Sequence, residues 1–266
     1  MILSKNAKIV LALFMILGMT FIYLPLFIVV LNSFNSSISF SFPPEGFTTS
    51  WWSKAAQNSG VKQAIITSVY TALGATAISL VLGTLAASAI ARYKFFGRDT
   101  LSLLIVLPIA LPGIVTGIAL NNVFTNYFGG LTYFTVIIGH ATFCIVVVFN
   151  NVAARYRRMG SSFEEASMDL GANRITTFRL ITFPLLRSAL LAGGMLAFAL
   201  SFDEIIVTTF TAGAGQNTLP IWIFQNLFRP NQAPVVNVVA AALILLSLIP
   251  IYMAQRIINA PSNNNN

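Results

Sequence analysis

Charged residues, cysteine and histidine are all scarce in this chain of 266 residues. Only 8% of its residues are charged, seven of them acidic, and it has one cysteine and one histidine. A single cysteine excludes an intramolecular disulfide. The sequence also lacks the Gly-x-x-x-x-Gly-Lys-Ser/Thr loop that cradles nucleotide phosphates. We therefore expect neither an ATP site nor an enzyme in this chain, and no cofactor.

His140 and Cys144 lie four residues apart and would share one face of a helix. Two potential ligands do not make a metal site, and no His-Glu-x-x-His or Cys-x-x-Cys motif accompanies them. We predict no metal site and interpret His140 as an interior histidine whose hydrogen bonds are satisfied. An intramembrane enzyme finds little support, because no nucleophile and base are recognisable.

Hydrophobic residues make up 56% of the chain, and its mean hydropathy is +0.81. This is too apolar for an ordinary soluble domain and is typical of a polytopic membrane protein. A bilayer core about 30 Å thick requires about 20 apolar residues per helix, which predicts about six helical spans. They lie at Ile9–Leu31, Ala64–Ala91, Leu101–Phe124, Phe134–Ala154, Ser188–Phe210 and Val235–Ala254.

Basic residues are distributed very unequally between the two sides of these spans. The net charge is +8, and with both termini inside, 12 of the 15 Lys and Arg residues lie on the cytoplasmic side. Only Lys54, Lys62 and Arg229 lie outside. Cytoplasmic loops carry such an excess. We therefore interpret the basic surplus as a sign of topology rather than of nucleic-acid binding, and predict that both termini are cytoplasmic.

Proline and glycine are concentrated in the third predicted span, at Pro108, Pro112, Gly113 and Gly117. Proline removes a backbone donor and glycine lets neighbouring helices approach, so a kink is expected. A hinge facing the pore and a simple packing kink explain this pattern equally well. At the end of the chain, residues 261–266 are too polar and uniform to pack, and we predict a disordered tail.

Asp203 and Glu204 lie inside the fifth predicted span. An acidic residue at the centre of a membrane helix costs roughly 2.5–3.5 kcal/mol on translocon scales, so such a carboxylate is a functional candidate. Neighbouring residues on a helix point about 100° apart. One carboxylate could face a solute while the other faces a helix, and the sequence leaves open which does so, or whether the pair only joins helices.

A charged segment, residues 161–186, interrupts the apolar sequence. Its first half is a predicted short helix with one apolar face, formed by Phe163, Ala166 and Leu170. Gly171 can supply the positive φ that ends this helix. The second half begins at Asn173 and is expected to stop before Pro184. The pattern predicts a helix-turn-helix.

This segment resembles the EAA loop of binding-protein-dependent, type I ABC importer permeases. The family pattern is Glu-Ala-Ala, three residues, Gly, nine residues, and then Ile-x-x-Pro or Ile-x-Leu-Pro. The residues at these places and spacings are Glu165, Ala166, Gly171, Ile181 and Pro184. Ser167 stands where a second Ala is usual, and Phe183 where Leu is often found.

The resemblance covers nearly the whole chain and is greatest to the second permease subunit of spermidine/putrescine transporters. It includes Leu107-Pro-Ile-Ala-Leu-Pro-Gly113 upstream and Ala199-Leu-Ser-Phe-Asp-Glu-Ile-Ile-Val-Thr-Thr-Phe210 downstream. It implies an all-α, MetI-like permease fold in which residues 1–260 form a single transmembrane domain. The EAA loop would be a coupling helix-turn-helix on its cytoplasmic side.

By this resemblance the chain is a permease subunit of an ATP-driven importer in a bacterial inner membrane. The implied partners are a second permease subunit, a dimer of ABC ATPase subunits, a solute-binding protein and the lipid bilayer. The EAA loop would dock into a groove on the ATPase. The coupling residues are then expected to be Glu165, Ala166, Asp169, Leu170, Gly171, Ile181 and Pro184.

The solute implied by the resemblance is a polyamine such as putrescine or spermidine. Polycations bind carboxylates and the faces of aromatic rings. The residues expected to line the pathway are Phe198, Phe202, Asp203 and Glu204. The alternative is a secondary transporter of a cationic solute, driven by an ion gradient, with Asp203 or Glu204 carrying a proton. That alternative does not explain the EAA loop.

Overall fold

The computed structural model describes residues 4–38, 42–229 and 231–259, so the predicted tail at 261–266 lies outside the described residues. The described chain is built from helices. In order they are α1 (Lys5–Asn32), α2 (Ser50–Gln57), α3 (Ser59–Arg92), α4 (Arg98–Ala110), α5 (Gly113–Tyr127), α6 (Tyr133–Met159), α7 (Ser162–Asp169), α8 (Arg174–Thr177), a π-helical turn (Phe178–Thr182), α9 (Phe183–Phe202), α10 (Ile206–Thr211), α11 (Leu219–Asn226) and α12 (Ala233–Asn259).

Four helical stretches among the described residues are long and apolar enough to cross a bilayer: α1, α3, α6 and the stretch Arg174–Phe202. The first, second and fourth predicted spans fall within α1, α3 and α6. The sixth, Val235–Ala254, falls within α12, where the described apolar helix Ala233–Ser247 is shorter than a full span. The count of six spans therefore stays a prediction.

The third predicted span is broken rather than kinked. Helices α4 and α5 meet at an angle of 103°, and the backbone of Leu111 between them is extended, with φ −81° and ψ 143°. A residue before proline is pushed out of the helical region in this way, here by Pro112. Pro112 in turn caps α5, and its carbonyl accepts hydrogen bonds from Val115 and Thr116. The predicted bend is confirmed, and it is sharper than expected.

The described residues form two compact units. One contains the described residues of Met1–Lys62 and Ile223–Asn266, and in it α12 packs against α1 and α2. Nearly every side chain of α1 is exposed, including a long run of large apolar ones from Ile9 to Phe27. A helix that is apolar on all faces is stable in contact with lipid or with other apolar helices rather than with water.

The second unit, Gln63–Trp222, is organised around α6. This helix packs most extensively against α9, and its buried Val148 and Val152 form a core with Ala87, Leu186 and Ala197. Helix α3 approaches α6 closely: a Cβ placed on Gly83 would lie 3.0 Å from Val148. Small residues permit such close contact between membrane helices. The second unit also contains the segment 161–186 and the acidic pair.

Candidate functional site

The segment 161–186 forms the predicted helix-turn-helix. Helix α7 ends at Asp169, and Gly171, which follows the C-cap Leu170, has a φ of +87°. The amide of Gly171 donates to the carbonyl of Met168, and that of Ala172 donates to the carbonyl of Ser167. These two bonds form the Schellman motif that closes helix ends. The side chain of Asn173 then caps α8 by accepting from the amide of Thr176 at 2.8 Å. The predicted positive φ and the Asn173 cap are both confirmed.

One face of α7 is anchored to the protein by polar side chains. Ser167 shares a hydrogen bond of 3.1 Å with Thr177, and Glu164 accepts one of 2.8 Å from the hydroxyl of Thr182. The other carboxylate oxygen of Glu164 lies 2.6 Å from Nε of Arg92, at the end of α3. The sequence reasoning missed this anchor. Its only sequence signal was the i, i+3 spacing of Glu164 and Ser167, which places both on one helical face.

The opposite face of α7 is exposed and carries the residues expected to couple. Glu165, Ala166, Asp169 and Leu170 are all exposed, Leu170 to 90%. In α8, beyond the turn, Ile175 is exposed to 79%. Exposed apolar side chains that lie together, flanked by charges, are typical of a surface that docks on another protein. The predicted face of Phe163, Ala166 and Leu170 is thus turned away from the described chain.

The expectation that the second short helix stops before Pro184 is wrong. The stretch Arg174–Phe202 is helical throughout, and the π-helical turn Phe178–Thr182 leads directly into α9. Proline normally breaks a helix because its ring clashes with the carbonyl four residues earlier. Here the amide of Phe183 bonds to the carbonyl of Phe178, five residues back. This wider turn accommodates Pro184 in the first turn of α9. Pro184 is exposed and Ile181 is half-buried.

The fifth predicted span, Ser188–Phe210, is not one continuous helix. Helix α9 ends at Phe202, and the short α10 begins at Ile206. Asp203 is the C-cap of α9 and is exposed, and among the described residues its carboxylate has no hydrogen-bond partner. Glu204 is partly buried, and its Oε1 accepts from the amide of Val207 at 2.8 Å, in the first turn of α10. The break thus contains two adjacent carboxylates in different environments: that of Asp203 is exposed, and that of Glu204 caps a helix.

Two aromatic residues precede this break. The rings of Phe198 and Phe202 stack with their centroids 5.9 Å apart, and both side chains are partly exposed. They lie one helical turn apart on α9, and Phe202 is the residue before Asp203. Aromatic faces beside a carboxylate can contact an ammonium group through cation–π attraction. Both rings and the Asp203 carboxylate thus belong to the last two turns and the cap of one helix.

His140 connects the two sides of the break to α6. It is fully buried, with Nδ1 2.8 Å from the hydroxyl of Ser201 in α9 and Nε2 2.8 Å from that of Thr208 in α10. The Thr208 hydroxyl donates to the carbonyl of Glu204, so Nε2 is the donor to Thr208. Cys144 is buried and donates to the carbonyl of Ala197. The predicted satisfied interior histidine is confirmed, and its role at the break is new.

The carbonyls at the end of α10 are also satisfied by side chains. Asn121 in α5 donates to the carbonyl of Phe210 at 2.6 Å, and Thr135 in α6 donates to that of Thr211 at 2.8 Å. The last carbonyls of a helix have no partner within it. In addition, a Cβ on Gly117 would lie only 2.6 Å from the ring of Phe210, so glycine allows α5 to approach α10. The short helix is thus fixed to two longer ones.

The described residues thus combine helices long enough to cross a bilayer with a short exposed helix and an exposed carboxylate at a helix break. Residues 79–260 match the family described as "Binding-protein-dependent transport system inner membrane component". The chain belongs to this family. The matched region contains both the helix-turn-helix and the acidic pair, which agrees with the EAA resemblance.

Curated relatives match over most of the chain. It is 32% identical to the spermidine/putrescine transport system permease protein PotC of Haemophilus influenzae, covering 92% of this chain and 94% of that protein. It is 31% identical to the putrescine transport system permease protein PotI of Escherichia coli, covering 86% of this chain and 84% of that protein. The chain is therefore a multi-pass permease component of an ABC importer.

A solved structure shares the fold. It is a chain from the crystal structure of a bacterial ABC transporter involved in the import of the acidic polysaccharide alginate. The TM-score is 0.74 and the identity 16%, covering 98% of this chain and 99% of that chain. The predicted all-α permease fold is confirmed by this match.

We predict that His140→Leu destabilises the protein. The change leaves the buried hydroxyls of Ser201 and Thr208 without their shared partner, which costs about 1–3 kcal/mol for such groups. The matched control is Thr142→Val, because within the described part of the chain the Thr142 hydroxyl bonds only to the carbonyl of Gly139 in its own helix. Thermal unfolding of the purified protein in detergent should show a lower midpoint for His140→Leu alone. Equal midpoints for the two variants would contradict the bridging role.

Proposed function

We propose that this chain forms half of the translocation pathway of an ATP-driven importer for a polyamine or a related cationic solute. A second permease subunit supplies the other half, and a dimer of separate ABC ATPase subunits hydrolyses ATP. A solute-binding protein delivers the solute. The exposed docking face of α7 and α8, at positions that match the EAA pattern, is the observation that carries this proposal.

The coupling role is supported by the two faces of α7. Its inner face is bonded to Thr177, Thr182 and Arg92. Its outer face presents Ala166 and Leu170 beside the carboxylates of Glu165 and Asp169. A short rigid helix held on one side can transmit a rigid-body movement from a partner that grips the other side. Ala166 and Leu170 make the apolar contacts with the ATPase. Glu165 and Asp169 form the polar border of the same surface.

The choice of a cationic solute is supported by the end of α9. Asp203 is exposed, accepts no hydrogen bond from the described residues and follows the stacked pair Phe198 and Phe202. Two unit charges about 4 Å apart attract by about 1 kcal/mol in water but by about 4 kcal/mol at the effective dielectric constant of a protein. The names of the relatives PotC and PotI point to the same class of solute.

The orientation follows from the coupling role. An ATPase works in the cytoplasm, so α7 is assigned to the cytoplasmic side, as are Arg92 and Gly160, which contact each other at the same end of the helices. Arg155, Arg157 and Arg158 in the last turns of α6 then also lie inside, in agreement with the positive-inside rule. Both termini are assigned to the cytoplasm, and the protein to the inner membrane of a bacterial cell.

The decisive experiment is uptake by the whole assembly in proteoliposomes. The permease pair, the ATPase and the binding protein are reconstituted, and labelled putrescine, spermidine, an amino acid and sulfate are offered with or without internal ATP. We expect uptake of the amines that requires ATP and survives collapse of the proton gradient. Uptake that stops with the gradient but not with ATP depletion would instead support the secondary transporter, and uptake of sulfate alone would overturn the cationic solute.

We predict that Gly171→Val uncouples the importer without preventing its insertion. A β-branched residue resists the φ of +87° at this turn, at a cost of about 1–2 kcal/mol, so the angle between α7 and α8 should change. ATP-driven uptake should fall while membrane abundance stays constant.

A matched control for this strain is Gly97→Val. Gly97 also has a positive φ, of +81°, and open space around its Cβ position, but it precedes α4 in another loop. The Gly97→Val variant should retain ATP-driven uptake. Equal uptake by Gly171→Val and the wild type would refute the coupling role of the turn.

We predict that Asp203→Asn lowers the affinity of the importer for polycations. The amide keeps the volume of the side chain but removes its charge, and a loss of about 1.4 kcal/mol is a tenfold loss of affinity. The concentration of spermidine that gives half-maximal uptake should rise, with assembly unchanged. Glu204→Gln is the paired variant, because its amide oxygen can still accept from Val207. If neither change alters uptake, the two carboxylates do not contact the solute.

A further inference from the structure

A polar cluster lies beneath the inner face of α7. It consists of Glu164, Arg92, Thr182, Tyr156 and Ser88. The Glu164 side chain is only 13% exposed and that of Arg92 only 18%. All five residues belong to the second compact unit. None of the five belongs to the pathway residues described above, so the cluster requires its own explanation.

Each oxygen of the Glu164 carboxylate is used. Oε1 accepts from the hydroxyl of Thr182 in the π-helical turn, and Oε2 pairs with Arg92 at the last residue of α3. Two different helices are thereby joined to α7 through one side chain. Hydrogen bonds to charged groups are stronger than those between neutral groups. Among the described residues, Glu164 therefore makes the charge-assisted side-chain contacts of α7, a hydrogen bond from Thr182 and an ion pair with Arg92.

Arg92 is itself held in place by α6. Its guanidinium lies over the ring of Tyr156, 4.7 Å from the ring centroid, and one of its amino groups donates to the carbonyl of Gly160. The Tyr156 hydroxyl shares a hydrogen bond of 2.8 Å with Ser88, one turn before Arg92 on α3. The cluster is thus braced between α3 and α6, which contain much of the buried core.

Helix α7 has little else to hold it. It has eight residues, and none of them is buried. An isolated helix this short is not stable in water. Apart from Glu164, its described side-chain link to the rest of the chain is the neutral hydrogen bond from Ser167 to Thr177. Loss of the Glu164 contacts would therefore loosen the helix relative to α3 and α9.

We propose that Glu164 is a positioning residue that clamps the coupling helix to α3 and α9, so that a movement of α7 is transmitted to the membrane helices. This inference rests on the proposed coupling function. Thr182 is the last residue of the π-helical turn that leads into α9, and α9 ends at Phe202, directly before Asp203. The clamp therefore joins the docking surface to the helix that carries the expected pathway residues. Glu165, which follows Glu164 and belongs to the EAA pattern, has a separate role on the outer face of α7.

The test uses the complete assembly with Glu164→Gln, Arg92→Gln and the double variant. We expect each single variant to retain the ATPase subunits on purification but to import about tenfold less spermidine per ATP hydrolysed, a factor that loss of a charged hydrogen bond can produce. The double variant should be no worse than the singles, because the two residues act through one contact. Effects that multiply in the double variant, or wild-type coupling in both singles, would overturn the clamp.

Two further variants separate the clamp from general defects. Asp99→Asn removes another carboxylate, one that is exposed in the first turn of α4, and should couple normally. Leu170→Asp alters the docking face and should lose the ATPase subunits. If Glu164→Gln also loses them, the residue shapes the docking surface instead of transmitting movement, and the proposal is wrong. Thr182→Val, which removes only one bond to Glu164, should reduce coupling in the same direction but less.

A measurement without the ATPase separates failure of the clamp from failure of the proposed function. Spin labels are placed on Ser162→Cys and Lys94→Cys, both exposed, while the buried Cys144 stays unlabelled. We expect a narrow distance distribution in the wild-type background and a broader one with Glu164→Gln. An unchanged distribution would overturn the clamp. Absence of ATP-driven uptake in the wild-type assembly, with the broadening observed, would instead refute only the coupling function.

Discussion

The constraint on which this structure depends is that a backbone inside a bilayer cannot bond to water. Every amide and carbonyl at membrane depth needs a partner from the protein. Continuous helices such as α1, α3 and α6 meet this requirement by themselves. A helix that ends within the membrane does not, because its last carbonyls have no partner in the helix. At the break after α9, polar side chains from other helices supply such bonds.

The break after α9 shows how this requirement is met. His140 reaches Ser201 on one side and Thr208 on the other, while Asn121 and Thr135 donate to carbonyls at the end of α10. Glu204 caps the start of α10 with its own carboxylate. Asp203, in contrast, is exposed and its carboxylate has no hydrogen-bond partner among the described residues. Two adjacent acids thus differ in their surroundings: Glu204 bonds to a backbone amide, and Asp203 lies at the surface.

Much of this arrangement could be predicted from local sequence signals. Gly171 and Asn173 are turn and cap residues whose conformations depend on their immediate neighbours, and both behave as expected. The length of the apolar runs likewise located α1, α3 and α6. In contrast, the continuation of the helix through Pro184 depends on a π-helical turn, for which the sequence has no clear signal. The break at Asp203 was missed because the residues around it are apolar enough for a continuous span.

Contacts between residues that are distant in the sequence could not be predicted, for a different reason. Arg92 lies 72 positions before Glu164, with which it pairs, and Ser88 lies 68 positions before Tyr156. No local pattern indicates which basic residue at the end of a span pairs with which acid. The pairing follows from the packing of α3 on α6, which depends on small residues such as Gly83. The packing of these helices thus decides where α7 is held.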